Sequence, residues 1–516
     1  MKHMRCRLPI GVSLAFVIAC GSAAAAGLPS LHVGAAGGPD GLRQIVDAQG
    51  RVVLLRGVNV NGLEDFHRAD LRPPYPIEPA AYANGACPAD DPTVHGVALC
   101  QSDFPQLRAM GYDVIRLALS WSELEPQPGV ISATYLDRIA QVVGWARQAG
   151  IYVLLDMHQD GWSKYLAPDG TPCPPPMSPT TSEDGAPAWA SAHLAPMCAP
   201  GGVPELAPGV AEAFQRFYAN LPASDGVGLQ DHFAGAVTAL ARRFAGDPTV
   251  AGYELLNEPH PGFAAVPGAM DATELFPLYA RVVAAVTAAV PGFHQLFFVE
   301  PNAERNVTDQ GPILTPWAAY SSYGNVVFAP HVYTGVFTAD AEAGQRFFPS
   351  DGGYRSAIRD ATVLGLPLWI GEFGNGPADD DTILAGHYAQ QDAHTLGGAL
   401  WVWREHGDWG VFPTPRGDVP RPSRLKYSSR AYPQFTAGRL ASLTYDAASG
   451  AFHMTAEAPP PLDGGATRIF VPAAARGTVS ATGARIRVRQ LGGGARQIVA
   501  SPRGGPYTVS VSPCPC

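Results

Sequence analysis

Eight short apolar runs recur along this chain of 516 residues. They are continuously rich in Val, Leu and Ile rather than alternating, which is typical of parallel strands buried on both faces. Amphipathic helical segments, such as residues 134–150 and 278–290, lie between several of them. Strand–helix alternation repeated in this way predicts an α/β fold, a (β/α)8 TIM barrel. The runs span residues 51–59, 112–120, 151–158, 250–258, 295–301, 325–333, 366–373 and 398–405.

After about residue 436 the pattern changes to short alternating strands separated by Gly, Ala and Ser turns. This alternation predicts a small C-terminal β-sandwich after the barrel. We therefore divide the chain into a leading segment (1–26), a barrel domain (27–435) and a β-sandwich domain (436–516).

The leading segment has a basic start, an apolar stretch and a small-residue end. This order predicts a secretory signal peptide, and the apolar stretch is too short to span a bilayer. Cleavage near Ala24–Ala26 would release a secreted, extracellular or periplasmic protein without an integral membrane segment. The alternative interpretation is a bacterial lipoprotein signal, because residues 17–20 resemble a lipoprotein box that would leave Cys20 lipidated.

The formal charge of the chain is −10, and removing residues 1–26 takes away three basic and no acidic residues. An acidic exported protein is not expected to bind nucleic acid or an anionic membrane surface, since both repel negative charge. The sequence gives no sign of obligate oligomers, so we expect a monomer.

Six cysteines follow the leading segment, and an oxidising compartment favours disulfides among them. The neighbouring pairs Cys87–Cys100 and Cys173–Cys198 would each close a proline-containing loop, although Cys514 and Cys516 allow other connectivities. No CxxC motif occurs, and no histidines lie nearby at ligand spacing. We therefore expect neither a metal site nor a cofactor.

Polar and aromatic residues gather at or near the ends of the apolar runs. In a barrel the C-terminal ends of the strands form the active site. Taken singly, an arginine there can be a buried ion-pair partner and a histidine a core residue, but their shared position predicts a functional site. The residues are Asn59, Arg116, His158, Asn257, Glu258, His331, Tyr333, Glu372 and Trp403.

Two glutamates among them, Glu258 and Glu372, predict glycosidic bond cleavage. That reaction needs one protonated carboxyl group to assist the leaving oxygen and one ionised carboxylate to attack the anomeric carbon or activate water. A cation such as Arg116 and a hydrogen bond from Tyr333 would keep Glu372 charged, so we expect Glu372 to be the nucleophile and Glu258 the acid/base. Asn257 would bind the adjacent sugar hydroxyl. The alternative is that each glutamate only caps a following helix.

Residues 256–259 (LNEP), 370–374 (IGEFG), 114–117 (VIRL) and 329–333 (APHVY) together resemble glycoside hydrolase family 5, over roughly residues 40 to 430. Residues 154–164 (LLDMHQDGWSK) most resemble its endoglycoceramidase and glycosylceramidase subgroup. The resemblance implies a retaining two-glutamate enzyme with the roles given above. It also implies that Asp160 binds sugar on the non-reducing side and that six further residues contact the substrate: Arg116, His158, Asn257, His331, Tyr333 and Trp403.

The resemblance further implies a tryptophan platform for the sugar, either Trp403 or Trp401, which has the same strand parity. Many endoglycoceramidases carry a lysine near the end of the first strand, whereas this chain has Glu64, Asp65 and His67 there.

The primary functional hypothesis is a secreted retaining β-glycosidase that cleaves between sugar and lipid in glycosphingolipids. The long loop after the third run, residues 159–230, contains Met177, Trp189, Leu194 and Met197, which could face a lipid or simply pack against one another. The first alternative is a polysaccharide hydrolase of the same family, of the glucanase or mannanase type. The second alternative is a non-catalytic carbohydrate-binding surface protein.

Overall fold

The computed structural model describes residues 27–166, 172–264, 267–458 and 465–513. The predicted signal segment, Cys20, Cys514 and Cys516 lie outside these ranges. Within the described ranges, no helix is long and apolar enough to cross a membrane.

Eight parallel strands form the predicted barrel, and we number them one to eight along the chain. Seven of them lie within the apolar runs, and the first strand extends one residue past its run. Strands six and seven are joined by a parallel bridge between Phe328 and Leu368, which closes the barrel. The strands are Arg56–Val60, Val114–Ser120, Tyr152–His158, Val250–Glu254, Leu296–Val299, Val326–Phe328, Ile370–Phe373 and Gly398–Leu400.

Helices surround the barrel because each one buries a single apolar face against the strands. The helix Ala133–Ala149, for example, begins where the Ser132 side chain accepts a hydrogen bond from the Tyr135 amide and ends at left-handed Gly150. The other α-helices are Asp103–Met110, Trp121–Leu124, Pro208–Tyr218, Leu229–Phe244, Pro267–Met270, Phe276–Ala289, Glu304–Thr308, Ala339–Glu342, Gly352–Leu364, Ala385–Ala393 and Pro422–Ser428.

Two antiparallel sheets form a second lobe at the N-terminal end of the barrel. The four-stranded sheet contains, in spatial order, Arg439–Tyr445, Phe452–Ala458, Gly505–Pro513 and Gly477–Thr482. The seven-stranded sheet contains Leu31–Ala36, Arg43–Asp47, Val52–Val53, Tyr432–Thr436, Thr467–Val471, Arg496–Pro502 and Ala484–Gln490.

The first apolar run, residues 51–59, is therefore two strands rather than one. Val52–Val53 pairs with Thr436 and Phe435 of the second lobe, whereas Arg56–Val60 belongs to the barrel. Residues 31–53 thus join a sheet that the sequence predicted from residue 436 onward. The domain boundaries stated above stay predictions.

Both predicted disulfides, Cys87–Cys100 and Cys173–Cys198, are present. The second lies in the long loop after strand three, where Met177–Pro179 pairs with Cys198–Pro200 as a short antiparallel ladder. The disulfide and the ladder together hold the described part of this loop across the top of the barrel.

We predict that replacing Cys173 and Cys198 with Ser loosens this loop. Closing the 25-residue ring restricts the unfolded chain, and the loss is about 3 kcal/mol of unfolding free energy. Limited proteolysis should cut the variant faster within residues 172–198, and denaturant unfolding should measure the lost stability. The matched control, Cys87→Ser with Cys100→Ser, should leave proteolysis of this loop unchanged. Equal cleavage rates in the wild type and the Cys173/Cys198 variant would contradict the prediction.

Candidate active site

The C-terminal ends of the barrel strands surround a pocket of about 620 Å³. Six of the residues selected from the sequence line it, and they come from strands three, four, six and seven or the loops that follow: His158, Asp160, Asn257, Glu258, Tyr333 and Glu372. Arg116 and His331 lie directly beneath, fully buried. The structure therefore brings these strand-end side chains together in one place.

Arg116, in the middle of strand two, is the central cation of the site. Its guanidinium contacts three carboxylates: Glu254 at 2.7 Å, Glu372 at 2.7 Å and Asp156 at 3.1 Å. Arg116, Asp156 and Glu254 are inaccessible to solvent. A buried carboxylate is costly without a compensating cation, so Arg116 is what allows these acids to lie in the barrel interior.

Glu372, at the end of strand seven, receives two hydrogen bonds on different oxygens. The Arg116 Nη1 group donates to Oε1 at 2.7 Å, and the Tyr333 hydroxyl donates to Oε2 at 2.8 Å. Both partners donate, so each oxygen of the Glu372 carboxylate is held in a fixed position. Burial and the nearby negative charge of Glu372 raise the pKa of Tyr333, so the phenol keeps its proton.

Glu258 follows strand four in a different environment. Its backbone has φ +36°, a left-handed conformation that costs a non-glycine residue about 1 kcal/mol and directs this side chain into the pocket. Oε1 accepts hydrogen bonds from His331 Nδ1 at 2.7 Å and from Asn306. Burial, reinforced by the charge of Asp160, raises the pKa of Glu258 to about 7. Burial also lowers the pKa of His331 to about 3, so this imidazole is neutral.

The two glutamates lie close enough to act on one bond. One oxygen of Glu258, one oxygen of Glu372 and a His331 nitrogen all lie within 4.8 Å of one another. Retaining glycosidases place their carboxyl groups about 5–5.5 Å apart, whereas inverting enzymes need roughly 6.5–9.5 Å for an intervening water. The arrangement has the spacing of a retaining enzyme.

Three clusters in the described ranges have ligand atoms close enough for a metal ion. In each cluster, however, a protein cation already lies beside a carboxylate. The cluster above and the Glu254–Glu300–His331 cluster both include a carboxylate paired with Arg116. In the third cluster, Glu64 and Asp184 face His158. Burial alone would lower the pKa of His158, but Glu64 and Asp156 outweigh it and raise the pKa well above its usual range.

The polar end of the pocket contains His158 and Asp160. His158 Nδ1 lies 2.6 Å from Asp156, and Nε2 lies 3.5 Å from Asp160. Of the acidic residues that follow the first strand, Glu64 faces His158, and neither of its oxygens has a hydrogen-bond partner within the described ranges. Asp65 instead pairs with Lys164 at 3.1 Å.

The predicted platform residue Trp403 does not reach the pocket. It is 1% exposed, packs edge-on against Phe412 and donates its indole hydrogen to Asp103. Trp401 lines the pocket instead and stacks on the His158 ring at a centroid distance of 5.8 Å. The last strand ends at Leu400, so strand parity no longer decides which tryptophan faces inward.

Sequence reasoning missed an aromatic wall of the pocket. Phe337 and Trp409 stack at 5.4 Å and 16°, and Tyr333 packs against Phe337 at 4.7 Å. Both missed residues come from loops after strands six and eight, where no periodicity marks a pocket residue. It also missed Asp156 and Glu254, because acidic residues within an apolar run carry no positional signal.

Residues 95–407 match the family model "Cellulase (glycosyl hydrolase family 5)", and residues 430–511 match the "Glycoside hydrolase family 5 C-terminal domain". The chain is 30% identical over 424 residues to endoglycoceramidase I of Rhodococcus hoagii (strain 103S), covering 79% of this chain and 74% of that protein.

Solved structures agree with these matches. The crystal structure of endogalactoceramidase has a TM-score of 0.74 and 31% identity, and the match covers 94% of this chain and all of that one. The lactosyl-enzyme intermediate of endo-glycoceramidase II from Rhodococcus sp. has a TM-score of 0.71 and 25% identity, with 92% of this chain and all of that one covered. This chain belongs to glycoside hydrolase family 5.

Proposed function

We propose that this protein is a retaining endo-β-glycosidase that hydrolyses the bond between sugar and lipid in glycosphingolipids. The observation that carries the proposal is the pair Glu258 and Glu372, which lie within 4.8 Å in opposed environments. The lipid-linked substrate is supported by the resemblance to endoglycoceramidases along most of the chain.

In the first step, a Glu372 oxygen attacks the anomeric carbon while Glu258 gives its proton to the leaving glycosidic oxygen. The lipid alcohol departs, and the sugar is held as an ester on Glu372. In the second step Glu258, now ionised, removes a proton from water as the water attacks the same carbon. The Glu372 ester bond breaks, the sugar leaves with its original stereochemistry, and both side chains return to their starting states.

Asn257 is held ready for the sugar hydroxyl beside the reacting carbon. Its Oδ1 accepts from Arg116 at 2.8 Å, and its Nδ2 donates to the Gln159 carbonyl at 3.1 Å. The amide is thereby oriented, and one hydrogen of Nδ2 remains for the substrate. Such a contact strengthens as charge develops in the transition state.

The two ends of the pocket suit the two parts of a glycolipid. His158, Asp160 and Trp401 form a polar sugar end with one aromatic face. Phe337 and Trp409 form an apolar wall of the same pocket, and further exposed apolar residues lie on the loops after strands four, five and six: Phe263, Ile313 and Phe347.

These loops replace the loop after strand three as the proposed lipid surface. Within that loop, Met197 is buried and Trp189 packs edge-on against Trp121, so these residues stabilise the loop itself. Leu194 is 94% exposed but is not among the residues that line the pocket. We also propose that the protein acts outside the cytoplasm after removal of residues 1–26, as a monomer.

We predict that Glu372→Ala lowers turnover by several orders of magnitude while the protein stays folded, because the covalent route is lost. Azide should restore part of the activity on an activated aryl β-glycoside and give an α-glycosyl azide. Steady-state rates measure the loss of turnover and its rescue, and NMR of the product determines the stereochemistry of the azide. The matched control, Glu342→Ala, removes an exposed glutamate and should stay near wild type. Turnover of Glu372→Ala above about a tenth of wild type would remove Glu372 from the nucleophile role.

The pH profile should reveal Glu258 as the acid. A carboxyl group with a pKa of about 7 is protonated below that pH, so kcat/KM should fall as pH rises through about 7. A dinitrophenyl glycoside needs no proton on its leaving group, and its kcat/KM should lack this alkaline limb. Glu258→Gln should likewise retain more activity on the dinitrophenyl substrate than on a glycolipid. An identical limb with both leaving groups would show that another group titrates.

Alanine variants of Trp401 and Trp403 form a matched pair that tests which tryptophan is the sugar platform. Trp401→Ala should lower kcat/KM roughly tenfold, at the upper end of what a ring contact contributes, with little loss of stability. Trp403→Ala should instead lower the free energy of unfolding by about 3–5 kcal/mol, because it leaves a cavity beside Phe412. Kinetics at saturating and limiting substrate, together with denaturant unfolding, separate the two. A Trp401→Ala variant with unchanged kcat/KM would exclude the platform role.

A substrate panel tests the lipid proposal. We expect sugar release from detergent-dispersed glucosylceramide, lactosylceramide or ganglioside, and slow hydrolysis of carboxymethylcellulose and mannan. Phe337→Ser should reduce kcat/KM on the lipid-linked substrates more than on a small aryl glycoside, with Val419→Ser, another exposed apolar residue, as control. Rapid hydrolysis of soluble β-glucan with no release from any glycosylceramide would reassign the enzyme to polysaccharides.

A further inference from the structure

A second cleft, of about 650 Å³, lies between the N-terminal edge of the barrel and the seven-stranded sheet. Asp113 and Tyr152, at the starts of strands two and three, form its barrel wall. The cleft is at the end of the barrel opposite to the active site, since that site lies at the C-terminal ends of the same strands. It therefore needs its own explanation.

Positive charge is concentrated in this cleft although the chain is acidic overall, with a formal charge of −10. Arg51, Arg108, Arg468 and Arg489 all line it. Arg51 is neutralised by Asp47 at 2.6 Å. Among the residues that the structure describes, the other three guanidiniums pair with no carboxylate.

The sheet geometry brings these arginines together. Arg487 and Arg468 both pair with Val499, and Arg489 pairs with Gln497 two positions away, so the three side chains share one face. The Arg51 and Arg468 guanidiniums lie 4.5 and 5.6 Å from the centre of the same Phe435 ring. Burial, together with the charges of Arg51 and Arg489, lowers the pKa of Arg468. Like charges are thus crowded here, and the nearby carboxylate of Asp47 is already paired with Arg51.

The one carboxyl group in the lining, Asp113, does not offset this charge. Burial raises the pKa of Asp113 to about 8, so it is mostly protonated at neutral pH. It is 3% exposed, and its Oδ2 atom has no hydrogen-bond partner within the described ranges. Four glutamine side chains add further hydrogen-bonding groups to the same cleft: Gln49, Gln148, Gln434 and Gln497.

We infer that this cleft is a binding site for the oxyanion group, a phosphate or carboxylate, of a ligand other than the glycosidase substrate. Guanidinium groups bind such oxyanions through paired, charge-assisted hydrogen bonds. These bonds are shorter and stronger than hydrogen bonds between neutral groups. Arg468 and Arg489 supply the charge from the sheet side, and Arg108 supplies it from the helix Asp103–Met110.

An adjoining groove of about 420 Å³ extends the cleft. It shares Arg108 and Gln148 with the cleft, and Pro105 and Leu491 contribute to its mainly apolar lining. An alkyl substituent on the bound anion would lie there. This gives a direct way to distinguish a free anion from the head group of a lipid.

The test is isothermal titration calorimetry of the full chain with inorganic phosphate and with hexyl phosphate, at constant ionic strength in chloride buffer. We expect saturable binding that is at least about tenfold weaker in the double variant Arg468→Gln/Arg489→Gln, because two guanidinium groups that would donate charge-assisted hydrogen bonds to the oxyanion are lost. The control Arg476→Gln removes an exposed arginine from the same lobe and should bind like the wild type.

Tighter binding of hexyl phosphate than of inorganic phosphate would assign a lipid head group, and equal binding would assign a soluble anion. The inference is overturned if neither probe binds saturably to the wild type, or if the double variant binds as well as the wild type. Activity of the double variant on an aryl β-glycoside should be unchanged, which shows that it is folded. Since the cleft is remote from Glu258 and Glu372, this result does not depend on the proposed glycosidase function.

Discussion

One buried guanidinium holds the catalytic end of this barrel together. Arg116 reaches carboxylates from strands three, four and seven, and without it Glu254 and Glu372 would lose the cation that compensates them, while Asp156 would keep only His158. Leaving even one buried charge unpaired typically costs 3–5 kcal/mol. The same contacts fix Glu372 against rotation and orient Asn257. The positions of Glu372 and Asn257 thus have a common origin, which explains why an arginine stands in the middle of an otherwise apolar strand.

The two glutamates have different neighbours: some donate hydrogen bonds to the carboxyl group, and some carry a charge. Glu372 faces a cation and a phenol, whereas Glu258 faces a neutral imidazole, an amide and the nearby negative charge of Asp160. Both carboxyl groups share one pocket, so overall burial cannot separate them. Their direct neighbours do so, and those neighbours come from strand two, from the loops after strands three and six, and from the helix Glu304–Thr308.

Much of this arrangement could be predicted from the sequence, because the signals were local. Each barrel strand is a continuous apolar run, and the residues at the strand ends are those that the pattern leaves polar. The failures share a different cause. The run at residues 51–59 changes sheets between Val53 and Arg56, and no residue there interrupts the apolar pattern. Trp401 and Trp403 lie past the last strand residue, where alternation stops. The aromatic wall and the arginine cleft are built from segments distant in sequence, which only the packed structure brings together.

The seven-stranded sheet has a consequence for how the chain is made. Its strand Val52–Val53 is synthesised early, but its partner Tyr432–Thr436 emerges only after the entire barrel. Closing so long a loop is entropically costly and slow, and until then the early strands present an unpaired edge. A nascent chain therefore cannot complete its second lobe vectorially, from the N-terminus onward. It must remain open at one side until synthesis is nearly finished, and a chain truncated before residue 432 would keep that unpaired edge exposed to other chains.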